Sequence, residues 1–156
     1  MPQRDSILIC SFAACRKYSI KCADISNAYF TADPIDRLIL LGPPKGGFPG
    51  EPNTKAVAMN RPGYGPRDAG RLFYKTFRRK AVASGLVEMR LCRSLYAYYD
   101  QEGTLQILAG AHVDDVFWAA NPEYEYIMID DLLGNFKLNG IKEHDFRFCG
   151  REYTQS

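Results

Sequence analysis

Three aspartates pose the first chemical question. Asp114 and Asp115 stand side by side in AGAHVDDVFWAA (109–120), a run that is otherwise almost wholly apolar. Withdrawing an ionised carboxylate from water costs several kcal/mol unless a partner compensates it. Asp24, 90 residues before Asp114, closes YSIKCAD (18–24), where Tyr18, Ile20, Cys22 and Asp24 alternate onto one strand face. Acids that converge at strand ends repel each other unless a cation lies between them. Mg²⁺, with Mn²⁺ as its substitute, suits such a set, because a hard ion takes carboxylate oxygens and keeps positions for water and phosphate oxygens. Two ions shared by these carboxylates would activate a 3′-hydroxyl and stabilise a pyrophosphate leaving group. Asp130 and Asp131 form the same dipeptide in a different setting. They lie among Ile127, Ile129, Leu132 and Leu133 in an amphipathic helical pattern and read as solvated helix surface.

The elements that must position these acids follow from pattern. Residues 4–17 read as a helix with Ser6 as its N-cap, and 18–24 as a strand. LILL (38–41) is a second strand, and the Gly- and Pro-rich 42–53 is a loop within a loop-rich insertion spanning 42–62. From Asp68 to Ser84, Leu72, Phe73, Phe77, Ala81 and Val82 make an apolar helical stripe opposite arginines and lysines, and Gly85 caps the end. Two strands, 94–100 and 104–113, turn at Gln101–Gly103. A third, 116–120, places Asp114-Asp115 at a hairpin turn. A helix over 122–136 with Pro122 near its start, and an alternating tail over 145–153, complete the chain. Strands with interspersed helices and tight hairpins predict an α+β fold with helices on one face of the sheet.

The net charge of +2 is too small to argue for nucleic acid alone, but its distribution is uneven. Residues 67–93 hold eight Lys or Arg against two acids, whereas 94–136 hold eight acids and no Lys or Arg. Such a basic–acidic succession suits a site with a polyanion on one side and divalent cations on the other. Five cysteines, odd in number and without a CxxC spacing, indicate neither a disulfide framework nor a zinc ribbon. No leader pattern or membrane-length apolar run occurs, which points to an intracellular setting: cytoplasm, virus-like particle or nucleus.

Five stretches resemble one family. DISNAYF (24–30) is similar to the D-V-K-N-A-F-L stretch of copia-type retrotransposon reverse transcriptases, and HVDD (112–115) to their Y-V-D-D. PPKGGF (43–48) resembles P-P-G-F, GYGPRDAGRLFY (63–74) resembles L-Y-G-L-K-Q-A-P-R-A-W-Y, and FCGREY (148–153) resembles F-L-G-I-E-I. The order is kept along nearly the whole chain. The resemblance implies an RNA-directed DNA polymerase palm over residues 1–156: a ferredoxin-like antiparallel sheet with helices on one face, in a palm-centred piece of a Pol polyprotein without the fingers and RNase H parts. It implies that Asp24 and Asp114 hold two Mg²⁺ ions with Asp115 in support, and that the Ile25 carbonyl is a further ligand. Tyr29 matches the aromatic that excludes a ribose 2′-hydroxyl by steric clash. Tyr64, Gly65, Ala69 and Arg71 match the segment that meets template and incoming nucleotide, with Gly65 allowing close backbone approach. Arg71, Lys75 and Arg78 are expected to contact the phosphate backbone. The implied partners are an RNA or DNA template-primer, dNTPs and the remaining Pol segments. Asp68 stands where the family has Gln, Gly63 where it has Leu, Gly70 where it has Pro, and His112 where it has an aromatic.

Two other readings use the same residues. One is a non-catalytic reverse-transcriptase-like remnant that serves as a nucleic-acid or protein interaction module. The other is a non-haem Fe(II) enzyme, in which His112, Asp114 and His144 form an H-x-D…H triad.

Overall fold

The computed structural model describes residues 3–50 and 55–155. Helix α1 (Gln3–Arg16) leads into β1 (Ile20–Ile25) and a 3₁₀ turn, Ala28–Thr31. Strands β2 (Ile39–Leu41) and β3 (Val57–Met59) form a separate antiparallel pair. Helix α2 (Ala69–Ala83) precedes β4 (Val87–Met89), β5 (Cys92–Tyr99), β6 (Leu105–His112) and β7 (Asp115–Ala120). A helical segment over 122–135 leads to β8 (Leu138–Glu143), β9 (Asp145–Phe148) and β10 (Arg151–Thr154). The main sheet is antiparallel in the order β4-β5-β6-β7-β1-β8, so the strands that carry the aspartates are interior neighbours.

The sheet is covered on both faces, not on one. Along β7, Val116, Trp118 and Ala120 pack into a core with Phe73 and Phe77 of α2 and with Ile127, Met128, Leu132 and Leu133. The intervening Phe117 and Ala119 pack with Ile9 and Ala13 of α1 and with Phe146 and Phe148 of the β9–β10 hairpin. A strand with apolar side chains in both phases needs cover on both sides, as buried parallel strands do. Helix α1 therefore lies opposite α2, against the expectation of one helical face.

Local chemistry sets the element ends. Helix α2 closes in a Schellman motif: Gly85 N–H donates to Val82 O (3.0 Å) and Leu86 N–H to Ala81 O (3.0 Å). Gly85 adopts φ 87, the left-handed region that glycine enters without penalty. Ser6 is not an N-cap; it is buried inside α1, and its hydroxyl donates to Gln3 O. The expected 122–136 helix is a 3₁₀ turn, a π-helical stretch (Ile127–Leu132) and another 3₁₀ turn. Ile127 and Leu132, like Met128 and Leu133, are buried pairs five apart, a spacing that an i→i+5 helix aligns. Within 42–62, residues 57–59 are a strand, and the loop expected there lies partly outside the described residues. Strands β4 and β8 have no counterpart in the sequence pattern.

Phe117 is fully buried, with ring centroids 5.7, 5.1 and 5.0 Å from those of Phe146, Phe148 and Tyr153. Phe117→Ala is expected to cost about 3–5 kcal/mol by cavity formation in urea denaturation, well above Phe117→Leu. Equal small losses for both would show that the hairpin does not seal this face.

Candidate active site

Register brings the acids together. Asp24 on β1 is paired directly with Asp115 on β7, and Asp115 in turn with His112 on β6. Strand alternation puts all three on the α1 face, in phase with Cys22, Phe117 and Leu108 of that core. Like charges directly opposed across a sheet are destabilising. The cost is visible in Asp115, whose carboxyl is held above the usual range by burial first and then by the charges of Asp114 and Asp24. His112 and Lys142 partly offset it.

The hairpin tip is Val113-Asp114, one residue earlier than the turn expected from sequence, and Asp115 already belongs to β7. Val113 sits at φ 53, unfavourable for a β-branched residue. Such strain costs of order 1–3 kcal/mol and persists only where surroundings impose it. Here the tip is pinned: Ile25 N–H donates to Asp114 O at 2.6 Å. That bond places the Asp114 backbone beside the end of β1, and the Ile25 side chain is buried in the core.

The residue that sequence reasoning missed is Asn139. From β8 it donates a hydrogen bond through Nδ2 to Asp24 Oδ2, while its Oδ1 accepts one from Ser26 Oγ. Asp24 is thus oriented by the neighbouring strand. Among the described residues, no group of three or more His, Cys, Asp or Glu side chains is gathered closely enough to hold a metal ion. Three carboxylates at adjoining positions are nonetheless the donor type that a hard divalent cation prefers.

Tyr29 lies on the 3₁₀ turn just after β1, and its ring meets Tyr64 edge-on at 5.2 Å. A Cβ at Gly63 would come 2.9 Å from the outer edge of the half-exposed Phe30 ring, so a larger residue there would require that ring to shift. Gly65 has a backbone requirement of its own. Its φ is 117, a left-handed-side conformation that favours glycine, and a Cβ would meet no atom of the chain within 4 Å. Ala69 is buried at the start of α2, and Arg71 is exposed one turn from that end. Asp68 is neutralised by Arg37, whose Nη2 lies 2.7 Å from its carboxylate.

The sequence profile of the family described as reverse transcriptase (RNA-dependent DNA polymerase) matches residues 3–155. The chain belongs to the reverse transcriptase family. Comparison with curated proteins gave no match. Membership implies binding of a nucleic-acid template, and two basic residues expected to serve it differ in this reverse transcriptase domain. Lys75 is exposed, whereas Arg78 donates through Nε to Glu88 at 2.7 Å. Asp130 and Asp131 are exposed, as expected. The iron triad does not assemble. Glu143 pairs with Lys21, so His144 lies at the far end of β1 from Asp24, while His112 is level with Asp115. No helix among the described residues is long and apolar enough to cross a membrane.

A carboxyl whose folded pKa is raised binds more protons when folded. The domain therefore loses stability as pH rises from the ordinary aspartate value, about 3.9, through the elevated Asp115 value, and the penalty stays constant above it. Asp115→Asn is expected to flatten that acid-side slope and to raise Tm at neutral pH in metal-free buffer. An unchanged pH profile would show that the opposed carboxylates do not repel.

Proposed function

We propose that this chain is the palm of a copia-type RNA-directed DNA polymerase, performing two-Mg²⁺ nucleotidyl transfer from dNTPs onto a primed template. The observation that carries the proposal is the direct opposition of Asp24 and Asp115 with Asp114 pinned at the adjoining tip. The five ordered motifs support the copia assignment. Asp24 and Asp114 are the residues that would hold the ions, Mg²⁺ or Mn²⁺, with Asp115 as a supporting charge and the Ile25 carbonyl as a further oxygen. When bound, the ions activate the attacking 3′-hydroxyl and stabilise the pyrophosphate leaving group.

The remaining roles belong to the chain's own groups. The Tyr29 ring, braced by Tyr64, stands beside the end of β1 and would exclude a 2′-hydroxyl by contact. Tyr64 is two-thirds exposed and presents its ring to an incoming base. Gly65 sets the turn into α2, and Arg71 and Lys75 offer charge to phosphates from that helix.

A second reading has its own observation. Asp24 is bonded to Asn139, and the carboxylates are not gathered into a cage among the described residues. A non-catalytic module that keeps the fold and binds nucleic acid or protein is consistent with this.

Primer extension with a radiolabelled dNTP on primed RNA separates the two. Incorporation in Mg²⁺ or Mn²⁺ is expected, with Asp114→Asn lowering it about a hundredfold or more. No incorporation by the parent chain would overturn catalysis. Mn²⁺ binding that persists in calorimetry and is lost in Asp24→Asn would then favour the non-catalytic module with a retained metal site.

A further inference from the structure

Strand β4 is one edge of the main sheet, so one side of its backbone has no hydrogen-bonded neighbour among the described strands. Sheet edges are commonly blunted by charged side chains. The two faces of this edge differ. Val87 and Met89 are paired with Ala97 and Cys92, which pack on the α1 side of the sheet. Both are exposed, and with Tyr99 they line an apolar groove of about 590 Å³. Leu91, in the turn between β4 and β5, lines the same groove and is 92% exposed. Glu88 is paired with Tyr96 and belongs to the α2 side. There a second groove, about 730 Å³, runs between α2 and the edge and is rimmed by Lys75, Arg78, Arg90 and Arg93. Arg78 is taken up by Glu88. Lys75, Arg90 and Arg93 are exposed and make no salt bridge among the described residues. Residues 85–111 fall outside the five motif stretches.

A strand laid along a sheet edge sends successive side chains to opposite faces. At β4 one of those faces is an apolar groove and the other a cationic groove. The occupant that satisfies both is an extended peptide in which apolar and acidic residues alternate. A nucleic-acid strand would use the cations and leave the apolar groove empty. A second copy of this chain, meeting edge to edge, would bring like charges together. We propose that the β4 edge docks an extended segment of a partner protein with alternating acidic and apolar residues. Its apolar side chains lie against Val87, Met89, Leu91 and Tyr99, and its carboxylates on Lys75, Arg90 and Arg93. The strand has three residues, so about five residues of partner span it and the adjoining turn. Strands β5 and β6 separate this edge from the aspartates on β7 and β1, and the proposal does not rest on the polymerase reading.

The test is fluorescence anisotropy of the full chain, in EDTA and without nucleotide, with the labelled peptide DVEIDVE and its block isomer DDEEVVI. The alternating peptide is expected to bind about tenfold more tightly than the isomer of equal charge and composition. Methylating the backbone nitrogens of one alternate set of its residues is expected to abolish binding, and methylating the other set to leave it, because every second residue of an added strand bonds to the edge. Arg90→Ser with Arg93→Ser is expected to weaken binding about fivefold at low salt and to remove most of its salt dependence. Val87→Lys with Leu91→Lys, both at exposed positions, is expected to weaken binding about tenfold although it adds positive charge, because the apolar groove is lost. Equal binding of the two peptides, tighter binding by the lysine variant, or indifference to both methylations would overturn the proposal. So would displacement of the peptide by oligo-dT that itself binds the lysine variant more tightly, which assigns the edge to nucleic acid. Self-association of the parent chain in sedimentation, lost in the lysine variant, would assign the edge to a second copy and overturn it equally. Primer extension is not measured, so failure here leaves the polymerase reading standing.

Discussion

Two carboxylates face each other across adjacent interior strands, and much of the molecule can be read as what holds them there. Repulsion between Asp24 and Asp115 pushes β1 and β7 apart at one end. The opposing force is burial along the rest of those strands, where Trp118 and Phe117 fill the two faces and Ala23 and Cys22 lie across from Val116 and Phe117. A fully buried side chain of this size contributes of the order of 1.5–3 kcal/mol, enough to carry an electrostatic penalty at one edge. This explains why the sheet is covered on both sides. One apolar layer would leave either phase of β7 wet and weaken the clamp on the acids. The strained Val113 belongs to the same arrangement, because the tight two-residue tip keeps Asp114 within reach of the Ile25 amide.

The charge layout has a similar logic. Negative charge is concentrated at one end of the central strands, while α2 and the β4–β5 turn carry exposed cations. Glu88 sits among those cations as a ligature. Burial raises its carboxyl, but hydrogen bonds from Tyr74 and Arg78, with the charges of Arg78 and Arg93, outweigh that and bring it below the usual range. It remains ionised and orders two α2 side chains, Tyr74 and Arg78, against β4.

Much of this was legible in the sequence. Alternation in YSIKCAD and an apolar run on either side of Asp114-Asp115 place the acids at strand ends, because period-2 burial is a strong local signal. The stripe in α2 and the glycine after it were equally plain. What stayed hidden was set by partners distant in sequence. LNGIKE (138–143) is an edge strand, mostly exposed, and carries no alternation, so neither β8 nor the Asn139 contact to Asp24 could be seen. Arg78 read as free because its partner lies on β4, a three-residue strand too short to announce itself. Apolar residues in both phases of β7 were visible, but without the β9–β10 hairpin in place they did not say which face α1 would take.

Strand β8 sits at the margin of the sheet, and five of its six residues are exposed. Margins of this kind open by local fluctuation at a small fraction of the global unfolding free energy. Asp24 therefore depends for its orientation on the most weakly protected ladder next to it. Fraying of that ladder releases Asn139 and frees the carboxylate to turn, while the core beneath stays intact. The ordering of this acid is a matter of sub-global breathing, on a timescale separate from that of folding.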